Sequence, residues 1–370
     1  MRVVHVFKDY YPPTTGGIEQ HMRLLCTGLA RQMDVTVLVP SRSRRTLEER
    51  LDGVLVIRVP EYGRYASVPL CPTMPVQLRR LRPDIVHLHF PNPMGDLAYL
   101  LSGWGAPLVI TYHADIIKQR PFVPFYRPVL ALLFKQAQRI IATSPDYIAS
   151  SRVLSRYRRK TTIIPFGVDR EALSLRDGEA TEVEWLRRDL GRRLVVFVGV
   201  LRYYKGLDIL LRAMTKVAGC LLIVGSGPER ERLEAMAVQL GVANRALFLG
   251  EVPESRLRVL LHGAEVFVLP SIDRCEAFGI AQLEAMACGK PVVSTDLPTG
   301  VRFVNPHGVT GLRVPPRDPD ALADAVNRLL DDPQLRAHLG QAAQERVERE
   351  FTAEGMITRT LEVYREVLVP

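Results

Sequence analysis

Val266-Phe267-Val268-Leu269-Pro270-Ser271-Ile272-Asp273-Arg274-Cys275-Glu276-Ala277-Phe278-Gly279-Ile280-Ala281-Gln282-Leu283-Glu284 is the stretch on which the reading of this chain turns. Its first four residues are an unbroken apolar run with the length of a buried strand. Pro270-Ser271 ends that run. After Gly279 the period changes: Ile280, Leu283 and Ala287 share one helical face, and Cys288-Gly289 supplies a stop. The spacing therefore predicts a strand, a loop and a helix over 279–287. Two carboxylates lie eight positions apart, Glu276 in the loop and Glu284 in the helix. A helix start offers free backbone N–H groups and the positive end of a dipole, which suits an anion. Five helical steps from Gly279 to Glu284 span roughly 7.5 Å. A sugar nucleotide fits that layout, with sugar at Glu276, phosphates at Phe278, Gly279 and Ile280, and ribose at Glu284. A loop position for Glu276 also implies that its removal disturbs stability little.

The same alternation continues outward in both directions. Strands are expected at 3–7, 35–39, 54–59, 85–89, 107–112, 139–143 and 162–165, with helices such as 18–31 and 126–138 between them. A second series starts at Leu194-Val195-Val196-Phe197-Val198-Gly199 and continues near 220–224, 246–249, 266–269 and 291–294. Its helices are expected near 205–216, 229–240, 254–261 and 278–287. Alternation of this kind implies parallel sheets covered on both faces. The fold class is α/β, with two doubly wound domains. The first spans 1–168 and the second 169–352, joined through a charged stretch at 166–192. A final helix is expected at about 353–368. Ligands of such folds bind beyond the carboxyl ends of the strands, here in a central cleft between the domains.

Composition narrows the function classes. The 370 residues suffice for two cores, and 47% apolar with 24% charged residues is the balance of a soluble globular protein. No run of 18 apolar residues predicts a transmembrane helix. Met1-Arg2-Val3-Val4-His5-Val6-Phe7-Lys8-Asp9 reaches charge too early for a signal peptide and reads as a first strand. Cys26, Cys71, Cys220, Cys275 and Cys288 are odd in number, with no Cys-x-x-Cys pair. They point to a reducing compartment, with neither a disulfide scaffold nor a zinc site. The net charge is uneven: residues 1–170 hold 24 Lys and Arg against 12 Asp and Glu, and the remainder 25 against 28. A basic first half expects an acidic partner or serves solubility alone. No nucleic-acid motif is present. Phe122–Lys135 is apolar with basic flanks, and Arg152, Arg156, Arg158, Arg159 and Lys160 follow. These pieces suit an anionic membrane surface, although a core helix explains the first equally well. The expected location is cytoplasmic, peripheral on the inner face of the cell membrane.

Other residues fall where strands meet helices. Gly16-Gly17 opens the first helix and lets backbone approach a ligand, or forms only a turn. The three spaced glycines of a dinucleotide fingerprint are absent. Arg202 and Lys205 follow the strand at 194–198, where cations can neutralise a diphosphate. His113 ends the strand at 107–112 and faces the expected cleft. Gly225 and Val252 lie in strand-to-helix loops. Asp318-Pro319-Asp320 mimics a metal-binding Asp-x-Asp but reads as a helix cap with Pro319 at the first helical position. His87-Leu88-His89 puts two imidazoles on one strand face, with no third ligand at useful spacing behind them.

Glu276-x-Phe278-Gly279 with Glu284 after a seven-residue gap, then Ala285-Met286-Ala287-Cys288-Gly289-Lys290-Pro291, resembles the retaining glycosyltransferases of family 4. The resemblance covers nearly the whole chain. It implies the GT-B architecture, two Rossmann-like domains with the terminal helix returning to the first. The first domain would bind acceptor and the second the sugar-nucleotide donor. Lys205 matches the family pattern. Val200 holds the place where the family has an arginine, so Arg202 is two positions displaced. The resemblance implies that Lys205, Arg202 and the amides of Phe278 and Gly279 stabilise the departing diphosphate. Glu276 would hold sugar hydroxyls, Glu284 the ribose and His113 the donor sugar. Gly16 and Gly17 would meet diphosphate or acceptor, and Gly225 and Val252 would border the nucleotide. No cofactor or divalent metal is required. Arg202-Tyr203-Tyr204-Lys205-Gly206 resembles bacterial mannosyltransferases of O-antigen and exopolysaccharide synthesis, which makes GDP-mannose the first donor and a lipid-linked or oligosaccharide acceptor the partner. A UDP-sugar-dependent transferase, a sugar-nucleotide 2-epimerase and a non-catalytic sugar-nucleotide-binding subunit remain as alternatives.

Overall fold

The structure, a computed structural model, describes residues 1–14, 16–65, 68–116, 123–191 and 193–369. The chain forms two compact units, Met1–Gly167 with Ala353–Pro370, and Val168–Thr352.

The first unit contains β1 (Arg2–Val6), β2 (Asp34–Ser41), β3 (Leu47–Leu51), β4 (Val54–Pro60), the short ribbon β5 (Arg64–Tyr65) and β6 (Val68–Pro69), β7 (Ile85–Phe90), β8 (Leu108–Tyr112), β9 (Arg139–Ala142) and β10 (Thr161–Ile163). Its main sheet runs β10-β9-β8-β7-β1-β2-β4-β3. All neighbours are parallel except β3, which pairs antiparallel with β4. The chain order reverses at β1 and β7, the point where open α/β sheets bind ligands at their carboxyl ends. The sequence pattern misses β3 because Leu47-Glu48-Glu49-Arg50-Leu51 is charged and exposed; edge pairing and the Arg58–Glu49 ion pair at 2.6 Å hold it. The terminal helix Ala353–Leu368 buries Met356, Leu361, Val363 and Tyr364 in the same core as Met22, Leu25 and Leu29 of helix Gly17–Ala30. The apolar segment proposed for a membrane contact forms helix Val123–Gln136. Its first residue, Phe122, lies outside the described residues. Leu130, Leu133 and Phe134 are buried, so the helix is in part a core helix, while Arg127 and Leu132 remain exposed. Lys160 is spent on capping: its Nζ donates to the carbonyls of Lys135 at 2.7 Å and Ala137 at 2.8 Å.

The second unit contains β11 (Leu194–Val198), β12 (Cys220–Val224), β13 (Ala246–Gly250), β14 (Val266–Leu269), β15 (Val292–Thr295) and β16 (Gly311–Val314). They form one parallel sheet in the order β13-β12-β11-β14-β15-β16. Here the order reverses at β11 and β14. The charged join is not a plain linker. It holds helices Arg170–Leu173 and Glu179–Leu190, and in the second of these only Glu179, Val183 and Leu186 are buried. So few inward positions leave no apolar stripe to read. Glu179 accepts two bonds from Arg258, at 2.6 and 3.0 Å, which anchors that helix.

Candidate active site

Two loops leave the carboxyl ends of the adjacent strands β11 and β14 and are tied together by backbone. Ile272 N donates to Tyr204 O at 2.8 Å. Gly206 sits at φ 68°, and a Cβ there would lie 2.0 Å from the carbonyl oxygen of Pro270. Only glycine permits both that conformation and that approach. Lys205 lies in the short 3-10 turn Tyr203–Lys205 just before it; the following helix begins at Leu207, two residues later than the apolar spacing suggests.

The β14 loop folds Glu276 back toward Lys205. Asp273 accepts from Cys275 N at 2.7 Å through its side chain and from Glu276 N at 3.1 Å through its carbonyl. Lys205 Nζ then donates to Glu276 Oε2 at 2.6 Å, and Ser271 Oγ donates to the same oxygen at 2.9 Å. The two charged side chains are 12% and 9% exposed. Burial alone would lower the Lys205 ammonium, but the Glu276 carboxylate more than offsets it and holds Lys205 above its ordinary value. Among the described residues, both side-chain bonds to the carboxylate run through Oε2. Ser271 was not singled out in the sequence, although it stands inside the deciding stretch. Arg202 is exposed just ahead of the turn and makes no ion pair among the described residues.

Gly279 is the N-cap of helix Ile280–Ala287, with φ 75°. A Cβ there would lie 2.6 Å from Leu269 Cδ2, so the helix start is pressed onto the end of β14. Ile280 and Ala281 present first-turn amides, which have no intrahelical acceptor. Phe278 is buried beneath, edge-on to Phe351 at 6.3 Å. The helix buries Gln282, Ala285 and Met286 as well as Leu283, a wider inward surface than the single face read from the sequence. Glu284 is half-buried, and its carboxyl is pushed up to about 7, first by burial and then by the negative charge of Glu254.

Gly225 follows β12; its N–H donates to Gly250 O at 2.7 Å, and a Cβ would lie 2.2 Å from Gly199 O. Val252 is half-buried between β13 and helix Glu254–Gly263. Asp318 is the N-cap of helix Pro319–Asp331, its Oδ1 accepting from the amides of Asp320 and Ala321 at 3.1 and 2.9 Å.

In the first unit, Gly16 is the N-cap of helix Gly17–Ala30 and Gly17 its first residue. His113 follows β8 and is 2% exposed. The reading of His87 and His89 as a pair without a third ligand is corrected here. The third imidazole, His5, stands ahead of them in the sequence and lies opposite His87 in the register of β1 and β7. Ring nitrogens of His5, His87 and His89 lie within 4.8 Å of one another and form the one group that could hold a metal among the described residues. Hydrogen bonds already occupy them: His5 Nδ1 with His89 Nε2 at 2.9 Å, and His87 with Tyr364 and Thr111 at 2.5 and 2.6 Å. His21 is buried against Phe166 with ring centroids 4.2 Å apart, and neither of its nitrogens has a hydrogen-bond partner among the described residues. His5, His21 and Tyr364 carry no sequence motif; only the fold assembles them.

Comparison with known proteins decides the family. Residues 15–172 match the family described as Glycosyltransferase Family 4, and residues 180–346 that described as Glycosyl transferases group 1. A D-rhamnosyltransferase, WbpZ, of Pseudomonas aeruginosa is 40% identical over 95% of this chain and 93% of its own length. The chain belongs to glycosyltransferase family 4. This glycosyltransferase is also 34% identical to O-antigen chain mannosyltransferase C of Escherichia coli, over 100% of the chain and 99% of that protein. Its fold is that of a sucrose-phosphate synthase from Thermosynechococcus elongatus, with a TM-score of 0.82 at 23% identity over 99% of this chain and 98% of that one. It is thus a GT-B enzyme with two Rossmann-like domains. No helix among its described residues is long and apolar enough to cross a membrane.

Proposed function

We propose that this glycosyltransferase transfers mannose from GDP-mannose, with retention, to a lipid-linked or oligosaccharide acceptor in the assembly of a surface polysaccharide such as O-antigen. The Lys205–Glu276 pair carries the reading: a buried ammonium and a carboxylate with an oxygen to spare stand together at the switch point of the second sheet. On this reading the second unit binds the donor. Lys205, Arg202 and the helix-start amides from Phe278 to Ile280 take up charge on the departing diphosphate. Glu276 holds sugar hydroxyls and offsets positive charge at the reacting carbon. Glu284 bonds the ribose, while Gly225 and the backbone at Val252 border the nucleotide. The first unit binds the acceptor near Gly16 and Gly17, and His113 bonds a hydroxyl of the transferred sugar. The names of the rhamnosyl- and mannosyltransferase relatives support the sugar class.

The chemistry proposed needs no divalent ion, because side chains and amides supply the positive charge at the leaving group. A thermal-shift panel of GDP-mannose, UDP-glucose, UDP-GlcNAc and UDP-galactose tests the donor. GDP-mannose is expected to raise the melting temperature, since a ligand binding only the folded state stabilises it, and turnover is expected to continue in excess EDTA. A shift with UDP-sugars alone would replace the donor. Abolition by EDTA with rescue by Mg²⁺ or Mn²⁺ would overturn the metal-free chemistry. Binding without turnover for any acceptor mixture would favour a non-catalytic subunit.

We also propose that the first unit rests on anionic membrane. Arg152, Arg156, Arg158 and Arg159 are exposed, and Leu132 is 48% exposed on helix Val123–Gln136. Each basic residue near an anionic surface contributes roughly 1 kcal/mol, screened over about 8–10 Å at ordinary salt. Flotation with phosphatidylglycerol vesicles is expected at low salt, with release near 0.5 M as a rough guide. Glu at 156, 158 and 159 should reduce it and leave donor binding unchanged. Equal flotation on neutral vesicles would remove the electrostatic basis.

A further inference from the structure

Strand alternation puts His5 of β1, His87 and His89 of β7, and Thr111 of β8 on one face of the first sheet, with His113 just beyond. That face is covered by the helix Ala353–Leu368, which contributes Tyr364. The side chains form one unbroken hydrogen-bonded chain. Thr111 Oγ1 meets His87 Nε2 at 2.6 Å, His87 Nδ1 meets Tyr364 Oη at 2.5 Å, and Tyr364 Oη meets His5 Nε2 at 3.2 Å. His5 Nδ1 then meets His89 Nε2 at 2.9 Å, and His89 Nδ1 meets His113 Nε2 at 2.9 Å. The chain stops there: His113 Nδ1 is buried and has no partner among the described residues.

Burial lowers all four imidazoles, to about 3 for His5 and well below the ordinary value for His87, His89 and His113, so each is neutral. A neutral imidazole has one N–H and one lone pair. Along an unbroken chain, fixing the proton of one member therefore fixes every other. Tyr364 has one proton and two imidazole neighbours. O–H donors make shorter bonds than N–H donors. The 2.5 Å contact to His87 and the 3.2 Å contact to His5 assign the phenolic proton to His87. His5 Nε2–H then donates to Tyr364 Oη, His89 Nε2–H donates to His5 Nδ1, and His113 Nε2–H donates to His89 Nδ1. His87 Nε2–H donates to Thr111. All four rings carry the proton on Nε2, and the free Nδ1 of His113 is a bare lone pair.

We propose that Tyr364, through His5 and His89, is a positioning residue that locks the tautomer of His113 so that Nδ1 accepts a hydrogen bond from a hydroxyl of the transferred sugar. The assignment of that ligand rests on the donor reading above, whereas the locked chain does not. Tyr364 lies on the helix that covers the sheet face, buried in the core of the first unit. Its hydroxyl nevertheless decides whether the far end of the chain is an acceptor or a donor.

The test uses the full-length ligand-free protein, labelled with ¹⁵N in its histidine rings. His5, His87, His89 and His113 are expected to show protonated Nε2 and bare Nδ1. Protonated Nδ1 at His113 would overturn the polarity, and averaged resonances would overturn the lock. Tyr364→Phe keeps the buried ring and removes only the hydroxyl. It leaves His5 Nε2–H without an acceptor, so His5, His89 and His113 are expected to move together toward the Nδ1–H form. An unchanged spectrum would overturn the role of Tyr364. If that variant does not fold, the parent spectrum still decides the lock. Monodeoxyfluoro analogues of GDP-mannose then test the ligand, because fluorine cannot donate. At one position the parent should lose at least about tenfold in affinity, the loss expected for roughly one hydrogen bond. Tyr364→Phe should lose distinctly less at that position. Equal losses in both proteins would overturn the sugar contact. No binding of any sugar nucleotide would defeat the donor reading and the contact built on it, leaving the spectra to judge the lock alone.

Discussion

Glu276→Gln will keep its fold and lose about 10²–10³ in kcat, the loss expected for one preorganised electrostatic group. The amide retains an oxygen to accept from Lys205 and Ser271, so only the counter-charge of Lys205 is lost and the melting temperature should fall less than in an alanine variant. What disappears is the negative charge that the proposed function sets beside the reacting carbon. Donor consumption under saturating donor measures it, and turnover within a few-fold of the parent would remove Glu276 from the chemistry. Glu276→Ala is a different experiment. From its loop position alone its stability cost reads as small. The structure corrects this, because the alanine leaves Lys205, 12% exposed, with neither a counter-charge nor an acceptor on that side chain. Breaking such a pair costs about 3 kcal/mol, the lower end of the range for buried pairs. A lost kcat in the alanine variant therefore mixes chemistry with folding, and the glutamine variant separates them.

Lys205→Met will also lose roughly 10²–10³ in kcat, by withdrawing positive charge from the departing diphosphate. It strands the Glu276 carboxylate, so it should lower the melting temperature as well. The combination Lys205→Met with Glu276→Gln removes both charges. It should be more stable than the sum of the two single effects predicts, with a coupling of about 0.5–3 kcal/mol, as is usual for side chains in contact. Strict additivity in denaturant melts would mean that the 2.6 Å contact does not exist in solution. Full activity of Lys205→Met would place leaving-group stabilisation elsewhere, with Arg202 the next residue to replace.

Five of the six strands of the second unit were legible in the sequence because they open as apolar runs, and the candidate site lies on the loops that follow two of them; β16 was not, because Gly311-Leu312-Arg313-Val314 is short and carries a charge. Glu276, Lys205 and Gly279 could be placed from local pattern alone. Residues that act through another element could not. Ser271 reads as a loop serine until its hydroxyl is seen on the carboxylate. β3 and the helix Glu179–Leu190 are held by pairing and by a buried ion pair, so neither leaves a hydrophobic period to detect. The histidines show the limit most clearly. Two of them stand together on β7, and no metal ligand follows them at local spacing. The companions lie 82 positions earlier on β1 and 277 positions later on the terminal helix, brought together by parallel register and a returning chain.

That returning helix also orders events during synthesis. Met1–Gly167 leaves the ribosome before any of Val168–Thr352, and domains generally begin to fold in that order. Yet Met356, Leu361, Val363 and Tyr364 belong to the core of the first unit. The unit that is made first is finished last. Until the final residues emerge, its sheet has an uncovered apolar face, and His5 and His87 have no phenol between them. A nascent chain can thus present a complete second unit while the first is still open, and a stop codon that removes only the last helix would disable the domain farthest from it in the message.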